Sequence, residues 1–195
     1  MRIRLLWLLL ALLSVSCGTA RYAQNEPKIY QRAVENSMSG EYNTGNYEIW
    51  VTAAPELYQR MKKVNPADRS LRLKQLLGLP PSAENKIFIE LWVKPSDVFR
   101  PCPDNEVDDQ QCNLCFTARD SADASYIEWF NRSRIDRYYA TGLYNQYPWT
   151  QLGYTYDWHP RNRSHRGLSE FVVQKNKTVY IEKAYATDEY LDAVR

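Results

Sequence analysis

The sequence predicts an α+β fold: a single domain with N-terminal helices and a mainly antiparallel, aromatic-rich sheet. Three observations support this class. Helical periodicity is concentrated early in the chain, alternation of apolar and polar residues is concentrated late, and the middle contains both. Fifteen tyrosines and six tryptophans against seven glycines are typical of a compact domain, and the sequence has no internal repeat or low-complexity tract.

The first element is an apolar run, Leu5 to Leu13, which follows Arg2 and Arg4 and precedes small residues and Cys17. This layout is typical of a secretory leader, and the run is too short to cross a membrane as a helix. A cysteine directly after the processing point predicts a bacterial lipoprotein whose mature chain begins at a lipid-bearing Cys17. Ordinary signal cleavage nearby, with that cysteine incidental, is the alternative.

The chain therefore divides into a leader (1–16), a polar tether (17–27) and a single α+β domain (28–195). Two of the 25 basic residues, Arg2 and Arg4, lie in the leader, so the remaining basic residues balance the 23 acidic ones. This balance gives no electrostatic reason to expect nucleic acid as a partner. We expect the protein to be exported to the bacterial cell envelope, on its periplasmic or surface face, and lipid-anchored.

Helices and strands alternate in the first half of the domain. Residues 27–40 place apolar positions on one face and end at a glycine, which predicts a helix. Residues 46–53 alternate as a strand, and residues 55–64 form a short helical pattern. Residues 65–81 predict a second helix, which Asn65 caps and which a glycine and a proline end.

The strongest strand pattern is residues 86–94, in which one face is aliphatic and the other carries two aromatic residues around Glu90. A long loop follows, and residues 122–139 then predict a helix. The last third predicts three strands and a closing helix, with Asn176-Lys177 turning the last two strands into a hairpin. The strands are residues 152–158, 168–175 and 178–186, and the helix is residues 187–194.

Three cysteines, Cys102, Cys112 and Cys115, remain if Cys17 carries a lipid. In an exported chain they favour one disulfide between Cys102 and either of the other two, and we expect the unpaired thiol to be buried. One alternative is a zinc site of three thiolates and a histidine, although such sites use a second close pair of ligands. The other is a redox pair at Cys112 and Cys115, although such pairs open a helix and this one lies in an acidic loop.

An aromatic-rich segment between Tyr138 and Trp158 is the leading candidate for ligand contact. Aromatic faces stack on sugars and nucleobases, and prolines on both sides of residues 149–159 restrain the backbone there. We expect Tyr154 and Tyr156 to belong to the core, and Trp149 and Trp158 to contact the ligand. Packing within a half-buried sheet is the alternative for the whole segment.

A basic loop follows, with Arg161 and Arg163 flanked by two histidines. Such a loop is most often solvated surface, and its functional interpretation is a clamp for phosphate or carboxylate, because guanidinium forks bind both. The leading prediction is therefore an envelope lipoprotein whose Trp149, Trp158, Arg161 and Arg163 bind an unidentified small molecule, glycan or envelope protein.

Carboxylates on the predicted strands support an alternative function, a small exported hydrolase. Glu90, Asp157 and Glu170, with Arg100, are its candidate catalytic residues, because paired carboxylates perform general acid and base chemistry. The sequence does not give the distances between these residues, so whether the chain is an enzyme stays open. The sequence has no serine-hydrolase, phosphate-loop, zinc-protease or dinucleotide motif, and we expect neither a metal nor a cofactor.

Four blocks of the sequence resemble those of a family of small exported bacterial proteins, and this resemblance implies class and compartment only. The blocks are residues 76–81, 90–112, 147–158 and 167–173. Residues 152–179 are also similar to the C-terminal part of tuberculosis-necrotizing-toxin-like NAD glycohydrolases, in which a Leu-Asp-Arg-Tyr-Gly segment precedes a Gly-x-Phe strand. Gln151 stands at the place of that arginine. The similarity implies that a hydrolase would be NAD-glycohydrolase-like, beside the glycosidase-like alternative.

Overall fold

The computed structural model describes residues 3–10, 39–109, 111–116, 123–138 and 148–193. Within these residues four α-helices pack on an antiparallel sheet of eight strands, so the predicted single α+β domain is confirmed. The strands are β1 (Ile3–Leu10), β2 (Gly40–Asn43), β3 (Ile49–Ala53), β4 (Asn85–Val93), β5 (Val98–Phe99), β6 (Tyr154–Tyr156), β7 (Arg166–Val173) and β8 (Thr178–Ala186). The helices are α1 (Ala54–Met61), α2 (Arg69–Leu77), α3 (Ala124–Tyr138) and α4 (Thr187–Ala193), with 3-10 turns at Pro66–Asp68 and Pro95–Asp97.

The sheet has the strand order β2-β8-β4-β1-β3-β7-β5, and β6 pairs with β7 beside this path. Every paired strand in the described residues runs antiparallel to its neighbour. Strand β7 is an organising element, because it pairs with β3, β5 and β6. It thereby joins the centre of the sheet to the segment that carries the predicted binding residues.

Strand β1 lies inside the sheet and uses residues of the predicted leader. It pairs with β4 from Ile3 opposite Val93 onward, and with β3 from Leu5 opposite Ala53 onward. Removal of a leader stays a prediction, and so does lipidation, because Cys17 and the tether lie outside the described residues. No helix in the described part of the chain is long and apolar enough to cross a membrane.

Most predicted elements correspond closely to observed ones, but β1, β2 and β5 were not predicted as strands, and three predicted elements differ. Residues 27–38 of the first predicted helix lie outside the described residues, and Gly40 begins β2. The strand predicted over residues 152–158 shortens to β6, which follows a bend at residues 151–153 and leads into irregular chain from Asp157. The hairpin between β7 and β8 turns at residues 175–176, where Asn176 adopts a positive φ of 55°.

The sheet carries a different core on each face. On one face, α1, α2 and α4 cover an aliphatic cluster in which Phe88 stacks on Tyr190, with ring centroids 4.3 Å apart. Further along this face, α3 covers an aromatic cluster that includes Trp50. The opposite face carries a second hydrophobic cluster, which includes Val98 of β5 and Val179 of β8.

The end of α2 positions β6. Gly78 has a φ of 69°, and this left-handed conformation lets the Leu79 amide donate to the Lys74 carbonyl at 2.8 Å. A Cβ at position 78 would lie 3.0 Å from the Tyr156 carbonyl oxygen. Glycine is therefore required by conformation and also by the close approach of β6.

Thr155 joins α2, β6 and β7 through its hydroxyl group. The hydroxyl donates to the Leu76 carbonyl at 2.7 Å and accepts from the Leu168 amide at 2.8 Å. The residue is buried. These two bonds hold β6 against the helix and the neighbouring strand, and so determine where the loop after β6 begins.

We expect Thr155→Val to destabilise the fold by about 2–4 kcal/mol, because it leaves two buried backbone groups without their partner. Urea unfolding at pH 7 measures the loss. Thr178→Val is the matched control, because Thr178 is exposed at the start of β8, and it should stay within about 0.5 kcal/mol of the parent protein. Equal stability of the two variants would show that the hydroxyl does not hold this junction.

Candidate functional site

Asp157, the residue after β6, is the centre of a buried hydrogen-bond cluster. Its two carboxylate oxygens accept from the Arg72 guanidinium of α2 at 2.8 and 2.7 Å, and the residue is 1% exposed. The His159 amide donates to it at 3.0 Å, and Asn162 Nδ2 donates at 2.8 Å. Burial by itself raises the pKa of Asp157, but these bonds, led by those from Arg72, hold the pKa below its ordinary value. The carboxylate is ionised at neutral pH.

The Asp157 cluster fixes the conformation of residues 158–166, which we call the basic loop. The Asp157 amide donates to the His165 carbonyl at 2.9 Å, and His165 Nδ1 lies 3.0 Å from the Asp157 carbonyl oxygen. The His165 ring also stacks on Tyr156, with centroids 5.0 Å apart and planes inclined by 21°. At the start of the loop, Trp158 Nε1 donates to the Leu79 carbonyl at 2.9 Å. Contacts to the body of the domain therefore hold both ends of the loop.

The basic loop presents its cations to solvent. Arg161 and Arg163 are exposed, and neither forms an ion pair with a carboxylate of the described residues. Arg166 is exposed as well, and its guanidinium carbon lies 5.7 Å from the centroid of the Tyr154 ring. The loop thus combines a fixed backbone with two outward guanidinium groups that are available to an external anion.

The predicted aromatic contact residues separate in the structure. Trp158 is half-buried beside the basic loop. Trp149 belongs to the core instead: it is 3% exposed, its Nε1 donates to the Pro101 carbonyl at 3.1 Å, and its ring lies 4.9 Å from that of Phe130. The expectation of ligand contact is therefore wrong for Trp149, because α3 covers it.

The pattern of buried and half-buried residues after Gly153 is also the opposite of the expected one. The buried positions are Gly153, Thr155 and Asp157, whereas Tyr154 and Tyr156 are half-buried. A Cβ at Gly153 would lie 2.5 Å from the Arg100 side chain, so the absence of a side chain there admits the arginine. The two tyrosines therefore border the basic loop and do not fill the core.

The predicted catalytic carboxylates Glu90 and Glu170 lie in one row across the sheet. Glu90 pairs with Leu6 of β1, Leu6 pairs with Thr52 of β3, and Thr52 pairs with Glu170 of β7. Directly paired residues share a face, and three strand intervals place the two glutamates about 14 Å apart. Glycosidase carboxylates lie about 5–9.5 Å apart, so this pair does not have the geometry for that chemistry.

Arg100 is buried and occupied by structural contacts. Its guanidinium donates to the Gly153 carbonyl at 3.3 Å and to the Asp109 carbonyl, and its central carbon lies 4.9 Å from the Phe171 ring centroid. Burial lowers the pKa of Arg100, and the nearby charge of Asp109 partly opposes this shift. The Gly153 carbonyl also accepts from the Glu170 amide at 3.0 Å, so Arg100 and Glu170 approach the same backbone group. Asp157 shares no hydrogen-bond partner with Arg100, and Glu90 lies three strands from Glu170, so the four predicted catalytic residues do not all converge on one site.

The disulfide forms between Cys102 and Cys112, one of the two predicted pairings. Cys115 is free and exposed, so the expectation of a buried third thiol is wrong: it lies beyond the closed loop, where the described chain leaves it in solvent. The described residues contain no group of histidines, cysteines and carboxylates that could hold a metal ion.

Sequence reasoning missed the two side chains that make Asp157 structural. Arg72 lies 85 positions away on α2 and differs in no visible way from the other basic residues of that helix. Asn162 carries a local signal, because an asparagine in a polar loop that also contains proline and serine is a typical turn residue. Its amide also donates to the Arg166 carbonyl at 3.1 Å, so it closes the basic loop.

Comparison with family models, curated proteins and solved structures finds no match for this chain. The resemblances described from the sequence therefore stay predictions.

We expect Asp157→Asn to lower stability at pH 7 by about 3 kcal/mol, because it breaks an ion pair whose carboxylate is buried and leaves the partly buried Arg72 without its partner. Folding lowers the pKa of Asp157, so the stabilisation is present above the ordinary value near 4 and is lost as the pH falls through the lower folded-state value. The difference from the parent protein should therefore shrink between pH 4 and pH 2. Urea unfolding across this range measures it.

Asp136→Asn is the matched control, since Asp136 is exposed on α3. It should change stability by no more than about 0.5 kcal/mol. A loss of the same size in both variants, or a loss in Asp157→Asn that does not change with pH, would contradict the structural role of the Asp157–Arg72 pair.

Proposed function

We propose that this protein is a ligand-binding domain of the bacterial cell envelope that takes an anionic partner at the basic loop. The observation that carries this proposal is a contrast among the arginines around the loop: one is paired with a buried carboxylate, and two are not. Arg72 is engaged by the buried Asp157 carboxylate, whereas Arg161 and Arg163 are exposed without a carboxylate partner. Arg72 therefore holds the loop in place, and Arg161 and Arg163 remain available to a ligand.

A loop that is already ordered suits this function. Binding costs free energy when loops and side chains must be immobilised, so a preformed backbone lowers that cost. Asn162 contributes to this order from inside the loop, because its Oδ1 accepts from the amide and the hydroxyl of Ser164 at 3.2 and 2.8 Å. The side chains of Arg161 and Arg163 are then the main groups that a ligand has to order.

Guanidinium groups favour phosphate and carboxylate, which accept two parallel hydrogen bonds. The half-buried ring of Trp158 lies at the start of the same loop and offers an apolar surface for a flat part of the ligand. We therefore expect a phosphate or carboxylate group carried by a small molecule, a glycan or an envelope protein. The roughly balanced charge of the rest of the chain favours this local recognition over general attraction to polyanions.

Export and lipid anchoring are part of this proposal. The leader-like N-terminus and Cys17 support them, and so does the Cys102–Cys112 disulfide, because disulfides persist mainly in oxidising compartments. The hydrolase alternative has no comparable support, since its candidate carboxylates are dispersed and Asp157 is occupied by Arg72.

The double variant Arg161→Ala, Arg163→Ala tests the loop. We expect it to weaken binding of tripolyphosphate or citrate at least tenfold, because each lost charge-assisted hydrogen bond removes about 1.5–3 kcal/mol. Two probes are used because one carries phosphates and the other carboxylates. Titration followed by NMR measures both affinities and identifies the residues that respond.

The double variant Arg132→Ala, Arg134→Ala is the matched control, because it removes the same charge from exposed positions on α3. It should retain the parent affinity. Equal weakening in both double variants would indicate non-specific attraction, and failure of the parent protein to bind either probe would contradict the proposal.

Lipid anchoring is tested separately by growing bacteria with labelled palmitate. We expect label on the protein and its release into the soluble fraction when Cys17 is replaced by alanine, because the attached acyl chains supply the proposed membrane affinity. An unlabelled protein, or a Cys17→Ala variant that stays in the membrane fraction, would contradict the anchor without affecting the test of the loop.

A further inference from the structure

Strand β1 occupies a gap between β3 and β4, and its position differs from that of an ordinary terminal strand. It is paired along both edges: with β4 from Ile3 to Leu10, and with β3 from Leu5 to Trp7. Both neighbours run antiparallel to β1, so they run parallel to each other. The structure therefore contains a groove with two hydrogen-bonding walls, and an extended segment lies within it.

The wall formed by β4 needs an occupant. The side chains of residues 87–91 are all buried, so both faces of this strand are covered. Its backbone groups on the β1 side are then screened from water above and below the sheet, and buried backbone groups in native proteins are almost always paired. Without a strand in the groove, the sheet would divide into β2-β8-β4 and β3-β7-β5.

Direct closure of the groove is disfavoured by the same geometry. Joining β3 to β4 would replace two antiparallel ladders with one parallel ladder and move the two halves of the sheet together by about 5 Å, the spacing of one strand. Helices α1 and α2 connect these two strands and pack with Phe88 of β4 in the aliphatic cluster. This close-packed layer would have to rearrange as well.

We propose that the gap between β3 and β4 is a strand-binding groove, and that in the chain that still carries residues 1–16 Ile3–Leu10 stays bound there without a covalent connection to the rest of the domain. The occupant is of a defined class, an extended apolar peptide of about eight residues that lies antiparallel to both walls. Cutting the chain between β1 and β2 in the folded protein therefore leaves the N-terminal peptide in the sheet.

The test uses the full chain with a site-specific protease sequence inserted between residues 18 and 27. The folded protein is cut and passed over a size-exclusion column under native conditions. The N-terminal fragment should elute with the domain, and hydrogen exchange of the β4 amides should be unchanged by the cut. Release of the fragment under native conditions overturns the proposal, whether another segment or the walls themselves then close the groove.

Exchange of a labelled synthetic peptide, residues 1–10, tests the specificity of the groove without altering the protein. The parent peptide should replace the cut fragment, and a Leu6→Pro peptide should bind at least tenfold more weakly, because proline removes an amide from a position paired with both walls. A Leu10→Pro peptide is the matched control, because Leu10 lies at the end of β1 and pairs only with Asn85. Equal capture of all three peptides would show general apolar adhesion and overturn the proposal.

Discussion

The fold depends on one constraint: strand β4 is buried on both faces, so its backbone must be hydrogen-bonded along both edges. A buried backbone group without a partner costs about 1–3 kcal/mol, and a whole domain is stable by only about 5–15 kcal/mol. Strand β8 satisfies one edge and β1 satisfies the other. From β1 the sheet continues through β3 to β7, and β7 holds β6 and the start of the basic loop. The candidate site is thus attached to the centre of the sheet by an unbroken series of ladders.

Two arginines, the partly buried Arg72 and the buried Arg100, connect this framework to its loops. Replacing a buried ion pair with apolar side chains is often neutral or favourable, so the Asp157–Arg72 pair is better understood as a positioning device than as a source of stability. Arg100 acts similarly through carbonyl oxygens: it joins the Asp109 carbonyl in the disulfide-closed loop to the Gly153 carbonyl before β6. Both arginines therefore determine where irregular segments lie. Exposed arginines such as Arg161 carry the same guanidinium group, and theirs remains available to a ligand.

Local patterns predicted most of the fold, because they depend on neighbours in the sequence. The end of α2 follows from the left-handed glycine Gly78, and the strands β4, β7 and β8 follow from alternation and turns. The site was less predictable, because its partners are distant along the chain. Which arginine would engage Asp157 depends on how α2 packs against β6, and the burial of Trp149 depends on α3. Tyrosine and tryptophan suit both a half-buried core and a contact surface, so their sequence pattern favours neither.

The apolar N-terminal run shows the same ambiguity at the level of the whole fold. A short continuous apolar segment fits a secretory leader and also a strand buried within a sheet, and periodicity does not separate the two. In this chain both interpretations apply to residues 3–10, but they differ in whether these residues are present when the domain folds. A leader is removed during export, whereas β1 must be present when β3 and β4 are brought into one sheet. If cleavage precedes folding, the two halves of the sheet form without their shared strand, and Thr52 no longer lies in a continuous row with Glu90. The order of cleavage and folding therefore determines whether the chain's own N-terminus completes the sheet.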